Sequence, residues 1–227
     1  MKKIIDDNVK LVSLYLTELF DLSDVEVKGN FDCSDNNLIS LKGSPHTIGS
    51  YFFCMGNQLT SLKGGPHTVV GGFSCSDNQL TSLEGCPDTV GRGFSCNNNK
   101  LINLIGAPHT VGDFWCTDNQ LVNLLGAPHT VNGDFWCTNN KLTNLIGAPH
   151  TVEGDFYCIN NPLTSLEGSP HTVKGDFACG GDTLDNIEDM PKVINGFCFM
   201  PKQLRDKFPE NYIRLLSKIK HNVVYIN

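Results

Sequence analysis

The chain has 227 residues, 24 Asp and Glu against 17 Lys and Arg, and a formal net charge of −7. An acidic chain lacks the excess cations that phosphate neutralisation requires, so broad nucleic-acid binding is not expected, and no apolar run approaches the ~20 residues of a membrane-spanning helix. A hydrophobic content of 40% allows a packed core, while ten cysteines admit a secreted disulfide scaffold, a metal protein or some other use.

Residues 1–24 open the chain. Lys2 and Lys3 have no apolar segment behind them, so no secretory signal is expected and a cytoplasmic location is the simplest reading. Ile5, Val9, Val12, Leu16 and Leu19 or Phe20 fall at helical spacing and predict an N-terminal capping helix.

Residues 25–200 repeat. Cys33, Cys54, Cys75, Cys96, Cys116, Cys137, Cys158 and Cys179 are spaced by 21 residues, with a single step of 20 between Cys96 and Cys116. A Phe stands two residues before each cysteine, and an Asn three residues after seven of them, from Asn36 to Asn161, with Asp182 in the eighth place. Two Leu follow each Asn, then Gly-x-Pro, then Val or Ile, as in Leu142, Leu145, Gly147, Pro149 and Val152. Fixed short periodicity of this kind predicts a solenoid in which each unit stacks only on its neighbours.

Each position then has an expected task. Phe-x-Cys alternates with period two, as a short strand does, so Phe and Cys point inward and the residue between them lies on the concave face. The Asn amide satisfies turn backbone that would otherwise be buried unpaired. The Leu columns fill the core, and Gly-x-Pro starts the return along an irregular convex side. A ninth strand is expected at Phe197-Cys198-Phe199, with Phe199 on the inward cysteine line and Cys198 facing the concave side.

The shortest copy, Val111-Gly112-Asp113-Phe114-Trp115-Cys116-Thr117-Asp118-Asn119-Gln120-Leu121, matches the leucine-rich pattern L-x-x-L-x-L-x-x-N-x-L position for position. Residues 25–200 therefore resemble the leucine-rich repeat family. More narrowly, they are similar to the Phe-x-Cys-x-x-Asn-x-Leu-Thr-Ser-Leu-x-Gly-x-Pro repeats of large tailed bacteriophages and some bacteria. That resemblance carries no established activity. A phage origin would imply a partner among host or defence proteins of the bacterial cytoplasm, which the chain would inhibit or redirect.

The repeat also sorts the cysteines. Eight share its period and follow a core Phe, the behaviour of a small buried hydrophobe. In-register neighbours with parallel side chains bridge poorly, and neither a C-x-x-C pair nor a zinc spacing is present, so no metal or other cofactor is expected. Cys86 and Cys198 stand outside the ladder as candidate exposed thiols. Pro-His-Thr recurs at His46, His67, His109, His129, His150 and His171, with Asp88 once in place of His. These polar turn residues read as copies of the unit.

Specific function is expected where the copies differ. The outward strand position reads Asp32, Phe53, Ser74, Ser95, Trp115, Trp136, Tyr157, Ala178, Cys198. Both Trp of the chain fall here, beside Tyr157, with Asp113, Asp134, Asp155 and Asp176 before the Phe and Thr117 and Thr138 after the Cys. An aromatic stripe beside a file of carboxylates suits a protein partner with a basic surface. The alternative is that the rings stack on one another to shield the sheet, and a glycan or other small molecule would use the same stripe.

Residues 201–227 end the chain as an expected cap of short helices to about Lys220 and a terminal strand Val223-Val224-Tyr225-Ile226. They hold six Lys and Arg against Asp206 and Glu210, a net +4, which leaves −11 for the rest. Opposed charges of this kind allow self-association between the cap of one copy and the acidic face of another, the mark of a structural or self-assembling protein. No catalytic constellation or phosphate loop stands out from the repeat, so the chain is expected to be a non-enzymatic binding protein.

Overall fold

The computed structural model describes residues 3–12, 14, 18–180, 183–184, 187–202, 204 and 223–226. An eleven-stranded parallel sheet runs the length of the molecule. It starts at Val9–Lys10, takes one strand from each of nine turns between Phe31–Asp32 and Cys198–Pro201, and ends at Val223–Ile226. The turns pair in register, with Phe94 opposite Phe114 and Phe114 opposite Phe135.

Parallel stacking in register puts identical side chains on top of each other. Eight buried Phe rings, from Phe31 to Phe177, form one offset stack with centroids 5.3–5.8 Å apart. The Leu columns and the Val column complete a continuous core. The cysteines of the ladder are all buried and free. Seven of their Sγ atoms face the carbonyl oxygen of the outward residue in the next turn at 3.3–3.5 Å, so each thiol donates along the solenoid. Burial pushes these thiols well above the usual cysteine range, which removes the thiolate that nucleophilic chemistry needs.

The Asn column ties turn to turn. Asn119 Nδ2 donates toward the carbonyls of Cys96, Cys116 and Thr117 at 3.0, 3.2 and 3.1 Å, and its Oδ1 accepts from Leu101 N–H at 3.1 Å. Asn57, Asn78, Asn99, Asn140 and Asn161 repeat the pattern, all within the core. The residue before each Asn sits at positive φ, 51–57° at Asp35, Asp77, Asn98, Asp118, Asn139 and Asn160, with Gly56 at 65°. Asp, Asn and Gly are the residues that tolerate this conformation. The Gly of Gly-x-Pro is likewise left-handed, at φ 83–95°. Asp182 lies outside the described residues.

Three expectations need correction. The return side is regular, because each Thr-Val pair adds to a second parallel ladder: five strands from Lys3–Ile5 to Thr89–Val90, and five from Thr110–Val111 to Val193–Ile194. The interruption adjoins the short repeat, in which one residue is missing between Val111 and Phe114. The N-terminal capping helix is not among the elements of the described residues. At the N-terminus, Lys3–Ile5 and Val9–Lys10 instead extend both ladders. The first turn presents unpaired edge groups that a strand satisfies and a helix does not. Leu14 N–H, for instance, donates to Asn36 Oδ1 at 2.9 Å. Of the helices expected to about Lys220, only Lys202 and Leu204 fall among the described residues, and both are helical; the expected terminal strand Val223–Ile226 is present and pairs with Cys198–Pro201.

The ninth turn is the third correction. Cys198, not Phe197, pairs with Phe177, and Phe199 pairs with outward Ala178. Thr172 and Val173 pair with Val193 and Ile194, so the 21-residue step is kept and puts Cys198 in the Phe line. Cys198 is therefore buried, Phe199 takes the outward place, and Phe197 stands exposed where Asp176 stood one turn earlier. Cys86 is half-buried, with Sγ 2.8 Å from Gly106 O. Burial pushes both thiols up to about 12.

Replacing Asn119 tests the ladder. Asn119→Ala leaves several buried backbone groups short of a partner, a loss of at least about 2 kcal/mol; thermal melting should show Tm falling by about 4–8 °C. Asn119→Asp should cost more, because an oxygen then faces three carbonyl oxygens.

Candidate functional site

The solvent face of the large sheet carries the outward column. Trp136 and Tyr157 are directly paired across neighbouring strands and stack with centroids 5.6 Å apart and planes 16° apart. Trp136 is 36% exposed. Trp115 is opposite Trp136 in register but leans the other way: a Cβ at Gly93 would stand 2.7 Å from its Cζ3. Phe53 lies three strands before Trp115 and stacks on Tyr51 at 5.7 Å with planes 3° apart. Of the three rings expected as one stripe, Trp136 and Tyr157 stack, whereas Trp115 is turned toward a separate aromatic pair, Phe53 with Tyr51. Ala178 is buried in the column beyond Tyr157. Thr117 and Thr138 are half-buried, and Thr117 N–H donates to Asn97 Oδ1 at 2.8 Å.

The carboxylate file forms, and it has a structural task. Asp113 Oδ1 accepts from Asp134 N–H, Asp134 Oδ1 from Asp155 N–H, Asp155 Oδ1 from Asp176 N–H and Asp176 Oδ1 from Phe197 N–H, at 2.7–2.9 Å. Asn30 Oδ1 does the same for Tyr51 N–H at 3.0 Å. The column is a second ladder at the entry to each strand, and glycine precedes each aspartate from Asp134 because a Cβ at Gly133 would meet Asp113 Oδ1. Charge is the part this task does not require, since the amide of Asn30 serves equally.

The file has electrostatic consequences. Burial pushes the Asp134 carboxyl up; the Asp155 N–H pulls it back, and the charges of Asp155 and Asp113 push it up again. The Tyr157 phenol is raised to about 12, first by burial and then by the carboxylates of Asp155 and Asp176. Among the described residues no ion pair neutralises the four aspartates.

Comparison of the strand positions alone misses a second variable surface. Ile102 and Val122 occupy a column that holds Thr60, Thr81, Thr143 and Thr164 in other turns, and Ile105, Leu125 and Ile146 replace Lys63, Glu84 and Glu167. All five are 38–54% exposed and cluster on three adjacent turns. The signal was present in the sequence as a local loss of polar residues from two loop columns. The six histidines of the Pro-His-Thr column pair off as stacked rings, His46 with His67, His109 with His129 and His150 with His171, at 4.6–5.0 Å. Among the described residues no cluster of His, Cys, Asp and Glu is arranged to hold a metal ion, and no helix is long and apolar enough to cross a membrane.

No family model and no curated protein matches the chain. Among solved structures it is similar to YopM from Yersinia enterocolitica WA-314, with a TM-score of 0.31 and 13% identity over 86% of this chain. The chain spans 65% of the length of that structure. The stacked parallel strands and the buried Asn ladder are themselves leucine-rich-repeat-like.

The two tasks of the Asp file separate by substitution. Asp134→Asn keeps the acceptor for Asp155 N–H and removes a charge between two like charges. A carboxyl raised in the folded state destabilises it once ionised, and this cost disappears as pH falls through the folded value. Asp134→Asn should therefore melt at or above the wild-type temperature at pH 7, whereas Asp134→Ala should melt lower by about 2–4 °C, the loss of about one hydrogen bond.

Proposed function

We propose that the chain is a non-enzymatic binding protein that holds a protein with a basic surface against the second half of its sheet face. One observation carries this reading: an exposed Trp stacked on Tyr beside a file of carboxylates that, among the described residues, no ion pair neutralises. Stacked Trp and Tyr present a large rigid surface at small entropic cost, which is why such rings anchor interfaces. The aspartates spend one oxygen each on the strand-entry ladder, and their charge is left to attract Lys and Arg and to speed association. Trp136, Tyr157, Asp134, Asp155 and Asp176 form this contact, with Thr138 at its edge.

The resemblance to tailed-phage repeats supports a narrower version, in which the partner is a bacterial host or defence protein of the cytoplasm that the chain inhibits or redirects. Capture from bacterial lysate tests both versions, using the immobilised chain and its Trp136→Ala, Tyr157→Ala variant. The wild type should retain at least one basic protein that the variant loses and that moderate salt releases. Identical proteins on both columns would refute the contact.

A further inference from the structure

The first half of the sheet face holds a groove that this contact does not use. It has a volume of about 500 Å³ and lies over the strands Phe52–Phe53, Phe73–Ser74, Phe94–Ser95 and Phe114–Trp115. Its origin is visible column by column. Before the Phe, successive turns read Asn30, Tyr51, Gly72, Gly93, Asp113; at the outward position they read Asp32, Phe53, Ser74, Ser95, Trp115. Two adjacent turns therefore lack side-chain bulk in both columns, between turns that carry rings.

The rings fold down into the space thus vacated. Tyr51 leans over Gly72, where a Cβ would stand 2.8 Å from Cδ1 and Cε1, and Trp115 leans over Gly93 from the opposite side. Phe53 backs Tyr51 by parallel stacking. Aromatic rings thus wall both ends of a floor made by Ser74 and Ser95. The polar rim holds one charge of each sign. Arg92 is exposed and its Nη1 donates to Tyr51 Oη at 3.4 Å, while Asp113 has Oδ1 engaged by Asp134 N–H.

We propose that this groove binds a neutral glycan through one of its pyranose rings. The flat C–H face of a pyranose ring matches an aromatic wall, and its row of hydroxyls needs donors and acceptors side by side. Arg92, Asp113 and the Ser74 hydroxyl supply both within one cleft, and Ser95 Oγ, bonded to Ser76 Oγ at 2.7 Å, has a lone pair left to accept. Opposite charges on the rim leave little net attraction for an ion: Asp113 opposes a phosphate or acidic sugar, and Arg92 opposes an alkylammonium group. The volume falls in the roughly 300–1,000 Å³ range of small-ligand sites. Because the groove is separate from the Trp136–Tyr157 pair, loss of one site leaves the other in place.

Trp115 reports on the groove directly. Only two Trp are present, so Trp136→Phe in the full chain leaves Trp115 as the sole indole fluorophore. Titration with cellobiose, maltotriose, mannobiose and chitotriose should give a saturable change in Trp115 emission for at least one of them, with matching heat by calorimetry. Ser95→Phe in the same background should fill the groove and abolish the response without lowering Tm. Should Ser95→Phe melt early, Arg92→Ala serves instead, with an expected loss of about tenfold in affinity. The proposal is overturned if none of the four sugars gives a saturable signal, if binding survives in a folded Ser95→Phe or is unchanged in Arg92→Ala, or if AMP or sialic acid binds more tightly than every neutral sugar.

Discussion

The structure depends on one side chain repeated: a buried Asn that donates to three carbonyls and accepts from one N–H of the preceding turn. Backbone bonds join neighbouring turns along their length, as from Phe114 N–H to Asp134 O and from Gln120 N–H to Leu101 O. The Asn amide adds connections inside the core, where a strand bond cannot reach, and holds the turns at the spacing of the ladder. Once that spacing is set, Phe must stack on Phe and Cys must lie above Cys, and the thiols donate along the same axis. The left-handed residue before each Asn follows from the same turn, which is why that column contains only Asp, Asn and Gly among the described repeats.

A stiff internal ladder frees the sheet face to vary. The outward column passes from a ring to two serines to three rings without any change in strand pairing. The column before the Phe is less free than it looks. Its aspartates and Asn30 are acceptors for the next turn, so their identity is partly structural and only their charge is spare. The same column shows how a site is made in a solenoid. Glycine at two successive places lets neighbouring rings lie down and turns a flat sheet into a groove.

Much of this was legible in the sequence because a repeat is read many times over. Phe, Cys, Asn and Leu each recur in seven or more copies, so their inward placement did not depend on any single strand. What was missed lies where copies are few or imperfect. The first residues have an apolar spacing that fits a helix, yet the open edge of the solenoid recruits them as strands. At the ninth turn a Phe-x-Phe motif competes with the 21-residue step; the step wins, and Cys198 goes inside. The Trp115 direction was not legible at all, because it is decided by Gly93 in the adjacent turn, and Tyr51 and Arg92 acquire meaning only through the groove.

The central claim is that the ladders alone specify the solenoid and that the outward rings are surplus to it. Converting Trp115, Trp136 and Tyr157 together to Ser, the residue already carried at positions 74 and 95, tests this by thermal melting. The account predicts a cooperative transition within about 4 °C of wild type, on the order of the 1 kcal/mol carried by surface substitutions. A variant that melts without cooperativity, or more than about 10 °C lower, equivalent to several kcal/mol in a chain of this length, would show that the rings belong to the scaffold and contradict it.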